Sequence, residues 1–404
     1  MKLKKFLALA AASVMALTGL AGCGSSDSSS KAEEGSKADA SAGDSTAEST
    51  DTPDSSTDSK KDDTPMEMRD ISAWDLVKEM KYGWNLGNTL DATGTGLQSE
   101  TAWQGIKTHA GMFKLLAQDG FNLVRIPVTW DGHMDSNYKV DDDWMARIHE
   151  VVDYGINEGM FVILNTHHEE WYFPTEENKQ QDMEQLKALW EQIAEEFKNY
   201  DEHLIFEGLN EPRLRGTSKE WTGGDKESRA IVAEYEKVFY DTVRASGGNN
   251  DKRILMMTGY AASSSKQCLQ EVYLPEGDDK VIVSVHAYLP YSFALDTNGT
   301  DKYDPNNSEI RNFFSTLNDL FIKNNIPVIV GEYGTMNKNQ NVDDRVACVT
   351  DYLTEAKALG IPCVWWDNNA VFGNGENFGL MNREIMGPSW YFPQIVEAIK
   401  NVYA

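Results

Sequence analysis

Cationic residues are scarce in this chain of 404 residues, where 37 Lys and Arg stand against 64 Asp and Glu. The formal net charge at pH 7 is −27. A protein this acidic has no long-range attraction to nucleic acid or to anionic lipid, so we expect neither as a partner. An uncharged substrate is compatible with this charge.

Cysteine is also rare, since the chain contains only four: Cys23, Cys268, Cys348 and Cys363. Their spacings match no zinc-binding pattern. A disulfide between Cys348 and Cys363 is an open alternative. We expect the hydrophobic core rather than disulfides to stabilise the fold, and we expect no metal.

The N-terminus has the features of an export signal. Lys2, Lys4 and Lys5 precede an apolar run over 6–20, which is too short to span a membrane. The following residues, Leu20-Ala21-Gly22-Cys23, resemble a bacterial lipobox. The resemblance implies a signal peptide over 1–22 and lipidation of Cys23, which would anchor the protein to the outer face of the bacterial cell membrane. The alternative is an ordinary export signal.

Residues 24–65 contain almost no large apolar side chain and consist mainly of Ser, Thr, Ala, Gly, Asp and Lys. Such a segment buries too little surface to offset its chain entropy. We therefore predict a disordered tether over 23–65 and a folded domain over 66–404.

Eight apolar runs of strand length alternate with amphipathic stretches in this domain. The runs are "YGWNLG", "FNLVRIPV", "MFVILNTH", "HLIFEGLN", "RILMMTG", "KVIVSVHAY", "IPVIVGEYG" and "IPCVWWDN". Continuous apolar runs are typical of parallel strands that are covered on both faces. We predict an α/β fold, a (β/α)₈ TIM barrel.

A doubly wound open sheet is the rival architecture. It would be favoured by a phosphate-binding glycine loop, but the only candidate is "TGTG" at 93–96. This segment lacks the strand before it, the helix after it and the Lys-Ser/Thr that such a loop requires. We expect no cofactor.

Polar and aromatic residues collect at the carboxyl ends of the predicted strands, where barrel enzymes have their active sites. In chain order they are Arg125, His167, His168, Asn210, Glu211, His286, Tyr288, Glu332, Trp365 and Trp366. Two carboxylates that flank one bond, one protonated and one ionised, are typical of glycoside hydrolysis. Glu211 and Glu332 are the candidates, and we expect Arg125 to keep one of them ionised. We also expect Pro212 to end the fourth strand.

Seven motifs in order carry a family resemblance: "GWNLGNTLDA", "NLVRIPVTW", "VILNTHHE", "FEGLNEPR", "VSVHAYLPY", "VIVGEYG" and "VWWDNN". From about residue 70 to the C-terminus the chain resembles glycoside hydrolase family 5, closest to the endo-β-1,4-glucanases of subfamily 4. The resemblance implies a retaining, two-step cleavage of β-1,4-glucan such as cellulose, mixed-linkage glucan or xyloglucan.

The resemblance also implies a role for each matching residue. Glu211 would be the general acid/base and Glu332 the nucleophile. Asn210 would hold the 2-hydroxyl of the sugar, Arg125 and Tyr288 would orient Glu332, and His167 and His286 would line the same subsite. We expect His168 to be a second-layer partner of the glutamates.

Aromatic side chains are expected beside the apolar faces of sugar rings. Trp366 is our first candidate and Trp365 the second, because adjacent strand residues point in opposite directions. Trp130 and Trp171 are candidates for outer subsites. The same rule predicts that His167 and His168 point apart, which argues against a shared metal.

Two other functions stay open at this stage. One keeps the chemistry and changes the substrate to β-mannan or xylan. The other is a non-catalytic sugar-binding lipoprotein, which would need two open sheets joined by a hinge.

Overall fold

The computed structural model describes residues 64–404 and contains a closed barrel of eight parallel strands in chain order. The barrel closes because β1 pairs in parallel with both β2 and β8. The strands are β1 (Tyr82–Leu86), β2 (Leu123–Ile126), β3 (Phe161–Asn165), β4 (Leu204–Glu207), β5 (Leu255–Ser263), β6 (Val281–His286), β7 (Val328–Tyr333) and β8 (Cys363–Asp367). The predicted TIM barrel is confirmed, and the doubly wound sheet is excluded.

Apart from the first helix, which precedes β1 and packs at the apolar end of the barrel interior, the helices follow the strands along the chain and cover the outside of the barrel. The helices are α1 (Ala73–Val77), α2 (Ala110–Gln118), α3 (Asp142–Asn157), α4 (Lys179–Glu196), α5 (Lys226–Ala245), α6 (Lys266–Leu269), α7 (Tyr291–Ala294), α8 (Glu309–Leu320), α9 (Val342–Ala358) and α10 (Pro393–Tyr403). Three 3₁₀ helices, Leu97–Thr101, Gly248–Asp251 and Ile322–Asn324, and a hairpin of β9 (Met381–Asn382) and β10 (Ser389–Trp390) complete the domain.

The interior of the barrel is apolar at one end and polar at the other. A buried cluster at the apolar end contains Leu123, Ile163, Ile205, Ile282 and Val364, and α1 packs against it. Because side chains alternate along a strand, the residues two positions further share the same face. These residues are Arg125, Asn165, Glu207, Ser284 and Trp366, which form a polar layer at the carboxyl ends of the strands.

The outward-facing strand residues pack against the helices and form the main core. Trp84, Val124, Val162, Phe206 and Trp365 belong to this cluster, and all are fully buried. Both faces of each strand are therefore covered, which explains the continuous apolar runs.

The expectation that Pro212 ends β4 is wrong, because the strand ends at Glu207. The carbonyl oxygen of Gly208 instead accepts hydrogen bonds from Thr166 Oγ1 at 2.8 Å and Trp190 Nε1 at 3.2 Å. Side-chain donors thus take the place of a backbone donor from a neighbouring strand at this carbonyl. Asn210 and Glu211 lie in the segment that follows.

Cys268, Cys348 and Cys363 are all buried and free, so the disulfide left open between Cys348 and Cys363 does not form. Within residues 64–404, no helix has the length and apolar character needed to cross a membrane. The predicted signal peptide, Cys23 and the tether up to residue 63 lie outside the described residues.

Candidate active site

Arg125 lies at the centre of the polar layer, and each nitrogen of its guanidinium donates to an acceptor. Nε donates to Glu207 Oε2 at 2.7 Å, and Nη2 donates to Asn210 Oδ1 at 2.7 Å. Nη1 is shared between Asn85 Oδ1 at 3.0 Å and Glu332 Oε1 at 2.9 Å. Burial lowers the pKa of Arg125, but Glu207 and Glu332 outweigh it and raise the pKa overall. The side chain is a permanent cation.

Glu207 is a buried carboxylate that the sequence reasoning missed. Besides Arg125, it accepts hydrogen bonds from Asn165 Nδ2 at 2.9 Å and Ser284 Oγ at 2.6 Å. Strands β2, β3, β4 and β6 are thereby joined at one residue. The signal was available, because Glu207 is a lone acid inside the apolar run "HLIFEG".

Glu332, on β7, is held by a donor on each oxygen. Arg125 Nη1 donates to Oε1 at 2.9 Å, and the Tyr288 hydroxyl donates to Oε2 at 2.8 Å. Burial and the negative charge of Glu332 raise the pKa of Tyr288 well above its usual value, so this phenol remains a donor. The two donors together fix the orientation of the Glu332 carboxyl group.

Glu211 has different partners on its two oxygens. Oε1 lies 2.9 Å from His286 Nδ1, and Oε2 lies 3.5 Å from Arg213 Nη1. Burial raises the pKa of Glu211, but the His286 hydrogen bond and the charges of His286 and Arg213 lower it overall. Burial lowers the pKa of His286, yet Glu332 and Glu211 raise it overall. Glu211 and His286 therefore form a pair that shares a proton.

The two glutamates converge although they are 121 positions apart in the sequence. One carboxylate oxygen of Glu211 lies within 4.8 Å of one of Glu332, and His286 Nδ1 is 3.7 Å from Glu332 Oε1. In retaining glycosidases the two carboxyl groups are ~5–5.5 Å apart, and one of them attacks the sugar directly. In inverting glycosidases they are ~6.5–9.5 Å apart, which leaves room for a water molecule. The observed spacing fits direct attack.

His167 and His168 do not point apart as expected, because β3 ends at Asn165 and both lie in the loop beyond it. Their ring centroids are 4.5 Å apart, and ligand-type atoms of both lie within 4.8 Å of Asp91. Burial lowers the pKa of His167 well below its usual value and that of His168 to about 4, so both rings are neutral. The Asp91 carboxylate already accepts from the backbone amides of Asn88 and Thr89.

The tryptophan candidates differ in their surroundings. Trp366 stacks on His167 with ring centroids 5.7 Å apart and planes 3° apart, and it shares a cluster with Tyr288, which donates to Glu332. Trp365 is fully buried, and its Nε1 donates to Phe378 O. Trp130 is also fully buried, so its proposed place in an outer subsite is wrong. Its Nε1 donates to Asn165 O.

Trp171 is half-buried in the loop after β3, where its Nε1 donates to Glu169 Oε2 at 2.8 Å. Three exposed aromatic residues in loops after β1, β4 and β8 were not anticipated: Trp103, Trp221 and Phe372. Trp103 is 45% exposed and lies 5.6 Å from His168 between ring centroids. An isolated large aromatic residue in a polar loop is the signal that could have identified them.

A family model described as cellulase (glycosyl hydrolase family 5) matches residues 90–371. Endoglucanase B of Ruminococcus albus is 55% identical over 403 residues, which cover 99% of this chain and 97% of that protein.

Solved structures agree with this match. A GH5-4 broad specificity endoglucanase from Ruminococcus champanellensis with bound cellotriose is 44% identical, with a TM-score of 0.80 over 83% of this chain and 100% of that one. A GH5 xyloglucan-specific endo-β-1,4-glucanase from a metagenomic library, in complex with cellotriose, is 39% identical. Its TM-score is 0.78, over 82% of this chain and 98% of the other.

Proposed function

The chain belongs to glycoside hydrolase family 5, and on that premise we propose that Glu332 is its nucleophile and Glu211 its general acid/base. The chain is an endo-acting retaining hydrolase of β-1,4-glucan. The roles of individual residues rest on geometry. The observation that carries them is the approach of the two carboxylates to within 4.8 Å while each has different partners.

In the first half-reaction, an ionised Glu332 oxygen attacks the anomeric carbon of the sugar. The carbon–oxygen bond to the leaving glucan breaks, and Glu211 delivers its proton to that leaving oxygen. Arg125 and Tyr288 hold Glu332 in place, so little reorganisation accompanies the attack. The product is a covalent glycosyl-enzyme.

In the second half-reaction, the ionised Glu211 takes a proton from a water molecule. The water oxygen bonds to the anomeric carbon, the ester bond to Glu332 breaks, and Glu332 leaves as a carboxylate. Two inversions at the same carbon retain its configuration. Glu211 returns to its protonated form for the next cycle.

Asn210 is well placed to hold the 2-hydroxyl of the reacting sugar. Its Oδ1 accepts from Arg125 Nη2 at 2.7 Å, which fixes the orientation of the amide. Nδ2 is then the group that donates to the sugar. Hydrogen bonds to this hydroxyl strengthen as positive charge develops on the ring.

Two variants test these roles on an aryl cellobioside with a good leaving group. Glu332→Ala should lose roughly 10⁴-fold or more in kcat, and no added base restores retaining turnover. Glu211→Ala should still form the glycosyl-enzyme but stall at hydrolysis, and azide should restore turnover with release of a β-cellobiosyl azide. The matched control is Glu384→Gln, a change at an exposed acid without a bond to either glutamate, which should keep most activity. Undiminished glucan hydrolysis by Glu332→Ala would remove the assignment.

We infer that the chain accepts several β-glucans, including cellulose, mixed-linkage glucan and xyloglucan. The support is the similarity to a broad specificity endoglucanase and to a xyloglucan-specific enzyme. Endo-cleavage of β-mannan or xylan is the alternative on the same fold. Product sizing on purified carboxymethylcellulose, lichenan, xyloglucan, mannan and xylan distinguishes them, and faster turnover of mannan or xylan would overturn the inference.

We propose further that the enzyme is a lipoprotein, attached through Cys23 to the outer face of the bacterial cell membrane. The support is the sequence over 1–23, with its basic start, short apolar run and Cys23 in the lipobox position. The full-length chain expressed in a bacterium should incorporate labelled palmitate and fractionate with membranes, whereas Cys23→Ser should do neither. Soluble, unlabelled full-length protein would contradict this proposal without touching the catalytic one.

The closed barrel argues against the sugar-binding alternative. A two-lobed binding protein has two open sheets, whereas residues 64–404 form one barrel in which the two glutamates lie close together. An intact cello-oligosaccharide recovered after prolonged incubation would favour the binding protein.

A further inference from the structure

Arg213 lies two residues beyond Glu211 and contacts it twice. Its Nη1 donates to the backbone carbonyl oxygen of Glu211 at 2.8 Å and lies 3.5 Å from Oε2 of the same residue. The first contact is a good hydrogen bond, whereas the second is at the outer limit. Arg213 therefore fixes the main chain of Glu211 and places a positive charge beside its carboxylate.

Two neighbours hold the Arg213 guanidinium in this position. Its carbon atom Cζ lies 4.2 Å from the ring centroid of Trp221, and Nε lies 3.2 Å from Glu220 Oε1. The other oxygen of Glu220 accepts from the backbone amide of Gly216 at 2.9 Å. The Arg213 side chain is only 15% exposed, so solvent screens its charge less than at an open surface.

The backbone around Arg213 is also braced. Leu214 N donates to the Tyr260 hydroxyl at 2.9 Å, and Ala261 N donates to Pro212 O at 2.8 Å. The segment after β4 is thereby attached to β5 on both sides of Arg213. The side chain has a defined base from which to reach Glu211.

We propose that Arg213 is a positioning residue for Glu211, and that its charge stabilises the carboxylate form that acts as base in the second half-reaction. The proposal rests on the assignment of Glu211 as the acid/base. No sugar contact is required of Arg213. Trp221 and Glu220 act through Arg213. The Trp221 ring covers the guanidinium, and the negative charge of Glu220 partly offsets its positive charge.

Other charged and titratable groups also face Glu211, and the effect of Arg213 must be separated from theirs. From the other elements they are His168, Tyr172, His286, Tyr288, Glu332 and Glu376. His286 occupies Oε1 and changes its own charge with pH, whereas Arg213 lies beside Oε2 and is always protonated. Arg213 thus supplies a constant bias toward the ionised carboxyl group.

The direction of the expected effect follows from this bias. Without Arg213 the Glu211 carboxylate is less stable, so its proton is lost only at higher pH. The alkaline limb of kcat/KM, which requires protonated Glu211, should move to higher pH on a substrate with a poor leaving group. The acidic limb of kcat should also move to higher pH on a substrate with a good leaving group, since hydrolysis of the glycosyl-enzyme requires ionised Glu211.

Four variants of the full domain test this with pH profiles on both substrates. Arg213→Gln should move both limbs to higher pH and lower kcat roughly tenfold at acidic pH, where the base is protonated. Arg213→Lys keeps the charge and should leave the limbs close to those of the parent. Glu220→Gln releases the charge of Arg213 and should move both limbs to lower pH. Arg215→Gln is the matched control, because Arg215 donates to the carbonyls of Glu169 and Glu170 instead.

Limbs that stay in place in Arg213→Gln, with lower rates at every pH, would show a merely structural role and overturn the proposal. Equal shifts in Arg213→Gln and Arg215→Gln would also overturn it, because any nearby cation would then suffice. The azide experiment on Glu211→Ala reports independently on the acid/base assignment. An error in that assignment is therefore distinguishable from an error about Arg213.

Discussion

Tyr288 and Arg125 donate to opposite oxygens of Glu332, at 2.8 Å and 2.9 Å, so that the Tyr288–Glu332 hydrogen bond locks the rotation that Arg125 alone would permit. A carboxylate held at both oxygens presents one fixed lone-pair direction to the sugar. This relationship joins the loop after β6 to the end of β7. The proposed nucleophile is therefore oriented before substrate binds.

Removal of the Tyr288 hydroxyl should slow catalysis more than it weakens binding. Tyr288→Phe loses a hydrogen bond to a charged group, worth about 1.5–3 kcal/mol, which corresponds to a fall in kcat of roughly 10- to 100-fold. Steady-state kinetics on an aryl cellobioside measure this. Tyr291→Phe is the control, since its hydroxyl is bonded to neither glutamate. An unchanged kcat in Tyr288→Phe would contradict the assigned role.

Loss of the Glu207 charge should affect both stability and activity. Glu207→Ala leaves Arg125 buried with one carboxylate fewer, at a cost of roughly 3–5 kcal/mol in the free energy of unfolding. Chemical denaturation measures this loss, and kcat should fall because Arg125 also positions Glu332 and Asn210. Glu100→Ala breaks another buried pair, with Arg147, and should destabilise without a specific loss of kcat. Full activity of folded Glu207→Ala would refute the role of Glu207.

The adjacent tryptophans of β8 should give opposite phenotypes. Trp366→Ala removes the ring proposed to contact the sugar and should raise KM roughly tenfold, with a small change in stability. Trp365→Ala should leave KM nearly unchanged but lower the free energy of unfolding by roughly 3–5 kcal/mol, because this ring packs in the outer core. Kinetics and denaturation of both variants measure the contrast. Similar phenotypes would show that the alternation along β8 is wrong.

Glu169 should make the protein less stable as the pH rises from 4.5 to 8. Burial raises the pKa of this carboxyl group from 4.5 to about 8, against hydrogen bonds from Trp130 N and Trp171 Nε1 that favour the ionised form. In this window the folded state binds more protons than the unfolded state, so stability falls with increasing pH. The contribution is on the order of a few kcal/mol.

The slope of unfolding free energy against pH tests this prediction for Glu169. Glu169→Gln cannot ionise and should flatten the slope between pH 4.5 and 8, whatever its absolute stability. Glu384→Gln, a change at an exposed acid, should leave the slope as it is. A parent-like slope in Glu169→Gln would place the pH dependence elsewhere.

The barrel could be predicted because the apolar composition of each strand shows that the strand is buried. Continuous apolar runs such as "MFVILN" require cover on both faces, and eight of them alternating with amphipathic helices permit few architectures. The chemistry could be predicted for a related reason. Glu332 lies near the end of β7 and Glu211 lies four residues beyond β4, at an end of the barrel where a buried acid without a function would be costly.

Residues whose role depends on a partner remote in the chain could not be assigned from the sequence. Glu207 was missed because nothing along β4 shows that Arg125 of β2 lies across the barrel from it. Trp130 follows a strand, which makes it a candidate for an outer sugar subsite, but tertiary packing buries its side chain completely. The expectation that His167 and His168 point apart assumed that both lie on a strand. Because β3 ends at Asn165, the alternation of side chains along a strand does not apply to them.

The sequence by itself determined the fold class, the two glutamates and the end of the barrel at which they lie, because burial and periodicity are local properties of each segment. Only the tertiary structure decided which oxygen of each glutamate has which partner, and that Arg213 stands beside Glu211. Those relationships are set by the closure of the barrel and by the backbone after each strand. They depend on distances between strands, which no single stretch of sequence records.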